Sequence, residues 1–502
     1  MKEHDDPPMT HTPVDILLIS DLHDAAQATP DRVAGAVLLR KALRRLRGAG
    51  VEVNVLIILG DVTAEGAEKR LRTVAEEARQ ANVPVLAIPG NHDGAARRFA
   101  EIFDCRPGLH EIAGYGFLLF HDAVGAGDVT TRPAEARSLP RRVASERPDL
   151  PLIALQHNPL HPPIQHPYPY QLANADRVMS TYQEANVMLS LSGHYHPGQT
   201  AHRVDGVTYY TVPALGDPPF RFAHLCLDGR RAQVHEYALR METEGLVDTH
   251  CHTEYAYCAT TVEAERNVAI SRAMGLHAVS LIEHTFQLYF DREDAWSYRW
   301  QTDDAMVQRA WQAGRGRMPE YRAFIQAVRD RHAGRVRLGL ELDLRANGQL
   351  LLSPEDQQGW DLLVGAIHAI PGFDAGHTTQ TGAERLFLRE TERLLTHPIQ
   401  VLAHPFRFFR RAKLKQPVHL YDTVAEMLAQ SGVAAEVNFH GNAPARRFLE
   451  ACLARGVRLA LATDSHDLAE VGDLHPHLSI LHQVGVRAAD LFTLLYRPDG
   501  QP

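Results

Sequence analysis

Cysteine is scarce in this chain. Five residues in 502 (Cys105, Cys226, Cys251, Cys258 and Cys452) are too few and too irregularly spaced for a disulfide framework. A reducing compartment follows as the expectation. Long apolar runs are also missing: no stretch approaches the ~18 residues of a membrane span. The opening segment MKEHDDPPMTHTPV has no apolar core behind a basic start, so neither a signal peptide nor an anchor is expected there. A cytoplasmic protein with no membrane partner is therefore the expectation. Positive charge is not in excess. Lys and Arg total 52 against 61 Asp and Glu, a net charge of −9. That balance makes a nucleic-acid partner unexpected, although it leaves room for a local basic pocket. Neither low-complexity sequence nor a fixed-period repeat occurs.

Histidine, in contrast, is abundant, with 29 residues. The chain length suits two to four domains at roughly 100–200 residues each. Short apolar runs alternate with helical patterns in two successive blocks, an α/β arrangement. We expect a loose tail over 1–13, a first domain over 14–240 and a second over 246–495. In the first block DILLIS, VNVLIIL, VPVLAIP, LPLIALQ and VMLSLSG have strand length. In the second, LVDTH, HAVSLIEH, RVRLGLEL, WDLLVGAIH, IQVLAHP, VAAEVNF and VRLALATD repeat the pattern with helices between them, which predicts a parallel sheet or barrel.

Nearly every one of these runs ends in His, Asp or Glu. The carboxyl ends of strands are where α/β folds bind ligands. One such residue reads most simply as a cap or turn former; more than ten in succession do not. In the first block they are Asp21 and His23 (DLH), Asp61 (GDV), Asn91, His92 and Asp93 (GNHD), His157 (QHNP), and His194 and His196 (GHYH). Mixed carboxylate and imidazole donors suit Mn, Fe or Zn.

This order and spacing resemble the calcineurin-like metallophosphoesterases, in particular their cyclic-nucleotide phosphodiesterase-like branch. The resemblance implies a four-layer αββα sandwich with a dinuclear centre. Asp21, His23, Asp61 and His196 would hold one divalent ion, and Asp61, Asn91, His157 and His194 the other. His92 would assist the leaving oxygen, oriented by Asp93 or Asp61. Such ions acidify water and offset charge on phosphoryl oxygens.

The strand ends of the second block carry His250 and His252, Glu283 and His284, Glu341, His368, His404, and Asp464 and His466. This set resembles the PHP (polymerase and histidinol phosphatase) family, of histidinol-phosphatase type, and implies a distorted (βα)7 barrel. By position, His250, His252, Glu341 and Asp464 would hold one ion and Glu341, His368 and His404 another. His284 and His466 would complete a cluster of two or three (Zn, Mn or Fe). Cys258 stands where many relatives place a histidine. It reads equally as a thiolate ligand and as a buried free cysteine.

Phe286–Met318 is long for a βα loop and rich in aromatics and arginine, so it reads either as a lid or as extra packed helices. Arg299 within it, and Arg407 and Arg410 after AHP, are candidate phosphate contacts. Counting two carboxylates per site leaves the second the more positive, which predicts dianionic monoesters there and diesters at the first. The expectation is a bifunctional hydrolase of small phosphorylated metabolites, a phosphodiesterase or phosphatase followed by a phosphomonoesterase. The alternatives are one catalytic domain beside a regulatory one, or a nucleic-acid-processing exonuclease.

Overall fold

The computed structural model describes residues 13–25, 33–441 and 443–498. The expected tail lies, except for its last residue, outside the described residues. The chain divides into two compact units, Met1–Arg240 and Met241–Pro502.

The first unit holds two sheets. One has the strand order Arg231–Ala238, Arg221–Asp228, Val14–Ile19, Val55–Ile58, Val85–Ala87. The last three run parallel, in register Ile16–Val55 and Leu56–Val85. The second sheet has six strands, with Leu152–Leu155 and Val187–Ser192 parallel at its middle. The strands that carry the site are apolar on both faces: Ile16, Leu17, Leu18, Ile19 and Val55–Leu59 are essentially inaccessible to solvent. Runs of this type form when both faces of a sheet are covered. Helices Gly35–Gly48 and Glu68–Gln80 supply amphipathic cover on one side, while Ala134–Glu146 and Ala175–Glu184 pack on the other sheet. The result is the αββα arrangement.

The second unit is a seven-stranded parallel sheet in which every strand pairs with the next in sequence: Val247–Cys251, Ala278–His284, Val336–Leu342, Leu362–Gly365, Val401–Leu402, Ala434–Asn438, Leu459–Ala462. First and last strands meet through the Cys251–Ser465 bridge, and Thr249 Oγ1 donates to the Leu461 carbonyl at 2.8 Å. The barrel is thus nearly closed. It is distorted because a single 3-10 turn, Pro354–Asp356, replaces a helix between the third and fourth strands. Its strands share an aliphatic cluster of Ile282, Leu362, Val364 and Val401 with the small residues Ala366, Ala403, Ala434 and Ala460.

Phe286–Met318 folds as short helices, Thr285–Tyr289, Arg292–Ser297 and Asp304–Gln312. Trp300 is fully buried, stacks 5.5 Å from Phe286 and donates its Nε1 hydrogen to the Ala295 carbonyl. This packing fits the extra-helix reading of the segment.

Candidate metal centres

In the first unit the polar residues sit two to six positions beyond the strand ends. The backbone there turns sharply: Asp21, His23, Asp61 and His194 all have positive φ, between 44° and 66°. Non-glycine residues adopt this left-handed region at a cost, and such strain concentrates at functional sites. Two glycines make the convergence sterically feasible. A Cβ on Gly90 would lie 2.0 Å from Asp61 Oδ1, and one on Gly193 would lie 1.7 Å from Ser20 Oγ. Neither has positive φ; what each provides is close approach.

The side chains meet at Asp61. Its Oδ2 lies 3.7 Å from His23 Nε2 and 3.3 Å from His157 Nε2, so one carboxylate oxygen faces two histidine groups. On one flank His23 Nε2 is 3.1 Å from His196 Nε2, and Asp21 Oδ1 is 3.7 Å from the latter. On the other, donor atoms of Asp21, Asp61, His157 and His194 lie within 4.8 Å of one another. Asp21 Oδ1, Asn91 Oδ1, His157 Nε2 and His194 Nε2 are all buried without a hydrogen-bond partner. Orphaned buried polar atoms are costly, and several converging on one point fit a cation. Burial lowers His23 to about 4 and His194 to about 3, leaving neutral rings with lone pairs free. Burial also raises Asp21 to about 6. Burial works against ionisation of Asp61 too, but the adjacent His157 outweighs it and holds the carboxyl below its usual range.

The Nδ1 atoms are turned outward and anchored. His157 Nδ1 lies 2.7 Å from the Leu59 carbonyl, and His196 Nδ1 lies 2.5 Å from Asp217. Such partners fix ring orientation and leave Nε2 inward. His92 is exposed at the mouth, with its Nδ1 3.1 Å from the Ala64 carbonyl.

Asp93 does not orient His92. Its buried carboxylate accepts from the backbone N–H of Thr63 (2.9 Å), Gly90 (2.9 Å) and Val62 (3.2 Å), tying two ligand loops together. Burial raises it to about 6. Asp61 does reach the His92 backbone, whose N–H donates to Oδ1 at 2.9 Å. Asp24 is likewise structural, accepting from Gly35 N and pairing with Arg70.

In the second unit the centre is Glu341, fully buried. Its Oε1 lies 2.9 Å from His404 Nε2 and 3.4 Å from His368 Nε2. Its Oε2 faces His250 Nε2 (3.5 Å), His252 Nε2 (3.8 Å) and His284 Nδ1 (2.6 Å). Asp464 Oδ1 joins the second set, 3.1 Å from His252 Nε2. A further triad, His252, His284 and His466, brings its donors within 4.8 Å. Cys258 Sγ lies beside it, 3.5 Å from His284 Nε2, with its thiol raised by burial to about 12. His250 Nε2, both nitrogens of His252, His284 Nδ1 and Glu341 Oε2 are buried without hydrogen-bond partners, again fitting cations. His404 and Asp464 have positive φ, 29° and 50°.

Three carboxylates stand behind these histidines. Glu436 lies 2.8 Å from His250 Nδ1, Asp343 2.9 Å from His368 Nδ1, and Glu283 3.5 Å from His252 Nδ1. Sequence reading missed the orienting parts of Glu436 and Asp343. The GLELD spacing, which places Asp343 two residues beyond Glu341 on the same strand face, was the one available signal for the latter. Their charges remove the basis for calling the second site the more positive. Of the arginines, Arg407 reaches the cluster: its Nη1 lies 2.7 Å from Asp464 Oδ2. Arg410 lines the adjoining pocket. Arg299 does not reach the site; it is exposed and paired with Asp294. Arg411, unremarked in the sequence, takes that side, its Nη2 donating to Tyr298 Oη beside His368.

A probable histidinol-phosphatase from Deinococcus radiodurans is 28% identical over 251 residues, spanning 45% of this chain and 89% of that protein. Among solved structures, a dimetal phosphatase from Danio rerio (17% identity, TM-score 0.35) covers 45% of this chain and 98% of its own. Purple acid phosphatase PPD1 from yellow lupin (12%, TM-score 0.33) covers 45% and 52%. Among the described residues no helix is long and apolar enough to cross a membrane. Residues 14–198 match the calcineurin-like phosphoesterase family and residues 248–440 the PHP domain family, so the chain joins a divalent-metal-dependent metallophosphoesterase domain to a PHP domain and is a hydrolase of phosphoester bonds.

Proposed function

We propose that the two centres are separate catalytic sites: a dinuclear phosphodiesterase or phosphatase site in the first domain, and a phosphomonoesterase site in the PHP domain, both acting on small phosphorylated metabolites. The observation that carries this reading is the pair of shared carboxylates. Asp61 lies between His23 and His157, and Glu341 between His250 and His404; beside them the inward nitrogens of His157, His194, His250 and His252 are buried without a hydrogen-bond partner. Divalent ions bound there would lower the pKa of water and offset charge on the phosphoryl oxygens. Asp21, His23, Asp61 and His196 would hold one ion of the first site, and Asp61, Asn91, His157 and His194 the other. In the second, His250, His252, Glu341 and Asp464 would hold one, and Glu341, His368 and His404 another. His284, His466 and Cys258 frame a third position.

His92 is the residue that would move a proton. The carbonyl of Ala64 only accepts, so Nδ1 keeps its hydrogen; Nε2 of the doubly protonated ring would give its own proton to a leaving oxygen and be left with the lone pair. Arg407 neutralises one oxygen of Asp464 and keeps the other turned inward.

The name of the Deinococcus relative, a phosphatase of a small phosphomonoester, brings that ester class forward for the second site. The test is a panel of diesters and monoesters with metal analysis on wild type, His92→Ala and His404→Ala. Separate losses, one per variant, are expected. Loss of the same activity in both variants would overturn two independent sites.

A further inference from the structure

The second centre opens sideways into a pocket of 460 Å³. His404 lies in its wall, so the cavity begins at the metal-ligand cluster. Phe406, Tyr421 and Phe448 give it an aromatic lining, their rings 4.8–5.8 Å apart. That volume falls in the range of small-ligand sites.

Its charge is one-sided. Arg407, Arg410 and Lys413 line it. Asp464 neutralises Arg407. Arg410 Nη1 donates to the Gly441 carbonyl, a neutral acceptor. Among the described residues, neither Arg410 nor Lys413 has a carboxylate at ion-pair distance. The one carboxylate in the wall, Glu436, is saturated: it faces His250 Nδ1 at 2.8 Å and accepts from His404 N at 2.6 Å and Asn438 Nδ2 at 2.8 Å. Arg407 Nε is buried with no hydrogen-bond partner. In a chain of net charge −9, two unneutralised cations and an orphaned donor share one cavity beside the cluster.

We propose that the second site selects phosphomonoesters whose body carries a further anionic group, a carboxylate or second phosphate, which Arg410 and Lys413 receive while the aromatic lining holds the body. This rests on the phosphomonoesterase reading of that site. The same pocket disfavours ammonium-bearing esters, because two cations meet a third charge of their own sign.

The test uses the full chain with Asp61→Asn to silence the first site. Three substrates with a common phenyl phosphate core, 4-(carboxymethyl)phenyl, 4-methylphenyl and 4-(aminomethyl)phenyl phosphate, carry a negative, a neutral and a positive remote group. Expected kcat/KM falls in that order, by about fivefold or more per step at low salt, and the steps shrink as salt screens the pocket. The double variant Arg410→Gln/Lys413→Gln brings the carboxylate-to-methyl ratio within about twofold. That ratio is internal to each protein and so does not depend on the fraction folded. Turnover without charge preference, or with the amine preferred, overturns this proposal alone. Failure to hydrolyse any of the three overturns the phosphomonoesterase reading and this proposal with it.

Discussion

The two centres hold similar donor sets in different ways. In the first, ring orientation comes mainly from backbone carbonyls, Leu59 for His157 and Ala64 for His92, with Asp217 behind the half-exposed His196. In the second, His250 and His252 are fully buried, and carboxylates stand behind three of the histidines. A carboxylate partner makes an imidazole a more basic ligand and fixes its tautomer more firmly than a carbonyl does. Deeper burial and carboxylate backing favour metal retention at the PHP centre, and the more open sandwich centre favours access. Chelator should therefore strip activity from the first site before the second.

The sharpest way to break the comparison is to remove each shared carboxylate. Asp61→Asn should lower the first activity by on the order of 10³-fold and spare the second, and Glu341→Gln should do the reverse. Steady-state assays on both substrate classes decide it. His92→Ala comes next, at about 10²-fold for alkyl leaving groups and far less for nitrophenyl esters, because a good leaving group needs no proton. A uniform loss across leaving groups would remove His92 from that role. Glu436→Gln should weaken metal retention at the second site by roughly 10–100-fold, read as metal content after timed chelation. The smallest effect is on stability. Burial lowers His121 to about 4, below the ordinary 6.5. The folded state therefore favours the neutral ring. That stability is present above about 6.5 and is lost as pH falls toward about 4, by about 1–2 kcal/mol after discounting for solvent screening. His121→Gln should flatten the denaturation midpoint across that window.

Much of this architecture was legible because the ligands directly follow apolar strands. Asp21, Asp61, His157, Glu341 and Asp464 are marked by the runs that precede them, and Asp21 meets Asp61 because their strands are neighbours in one sheet. What could not be read depends on proximity without sequence signature. Glu436 reaches His250 across 186 positions, and nothing near either residue announces the pairing. Asp93 lies in the GNHD motif, yet its carboxylate faces backbone amides contributed from 62–63 as well as Gly90. Arg299 and Arg411 differ in which way a short helix turns them, and composition carries no information on that.

The left-handed turns at Asp21, His23, Asp61, His194, His404 and Asp464 have an evolutionary consequence. At these positions the reactive group and the comfortable backbone are in conflict, so glycine there would relax the loop while deleting a donor. Drift toward greater robustness would pass through loss of chemistry, and selection for thermal endurance alone should recover inert chains changed at these six corners.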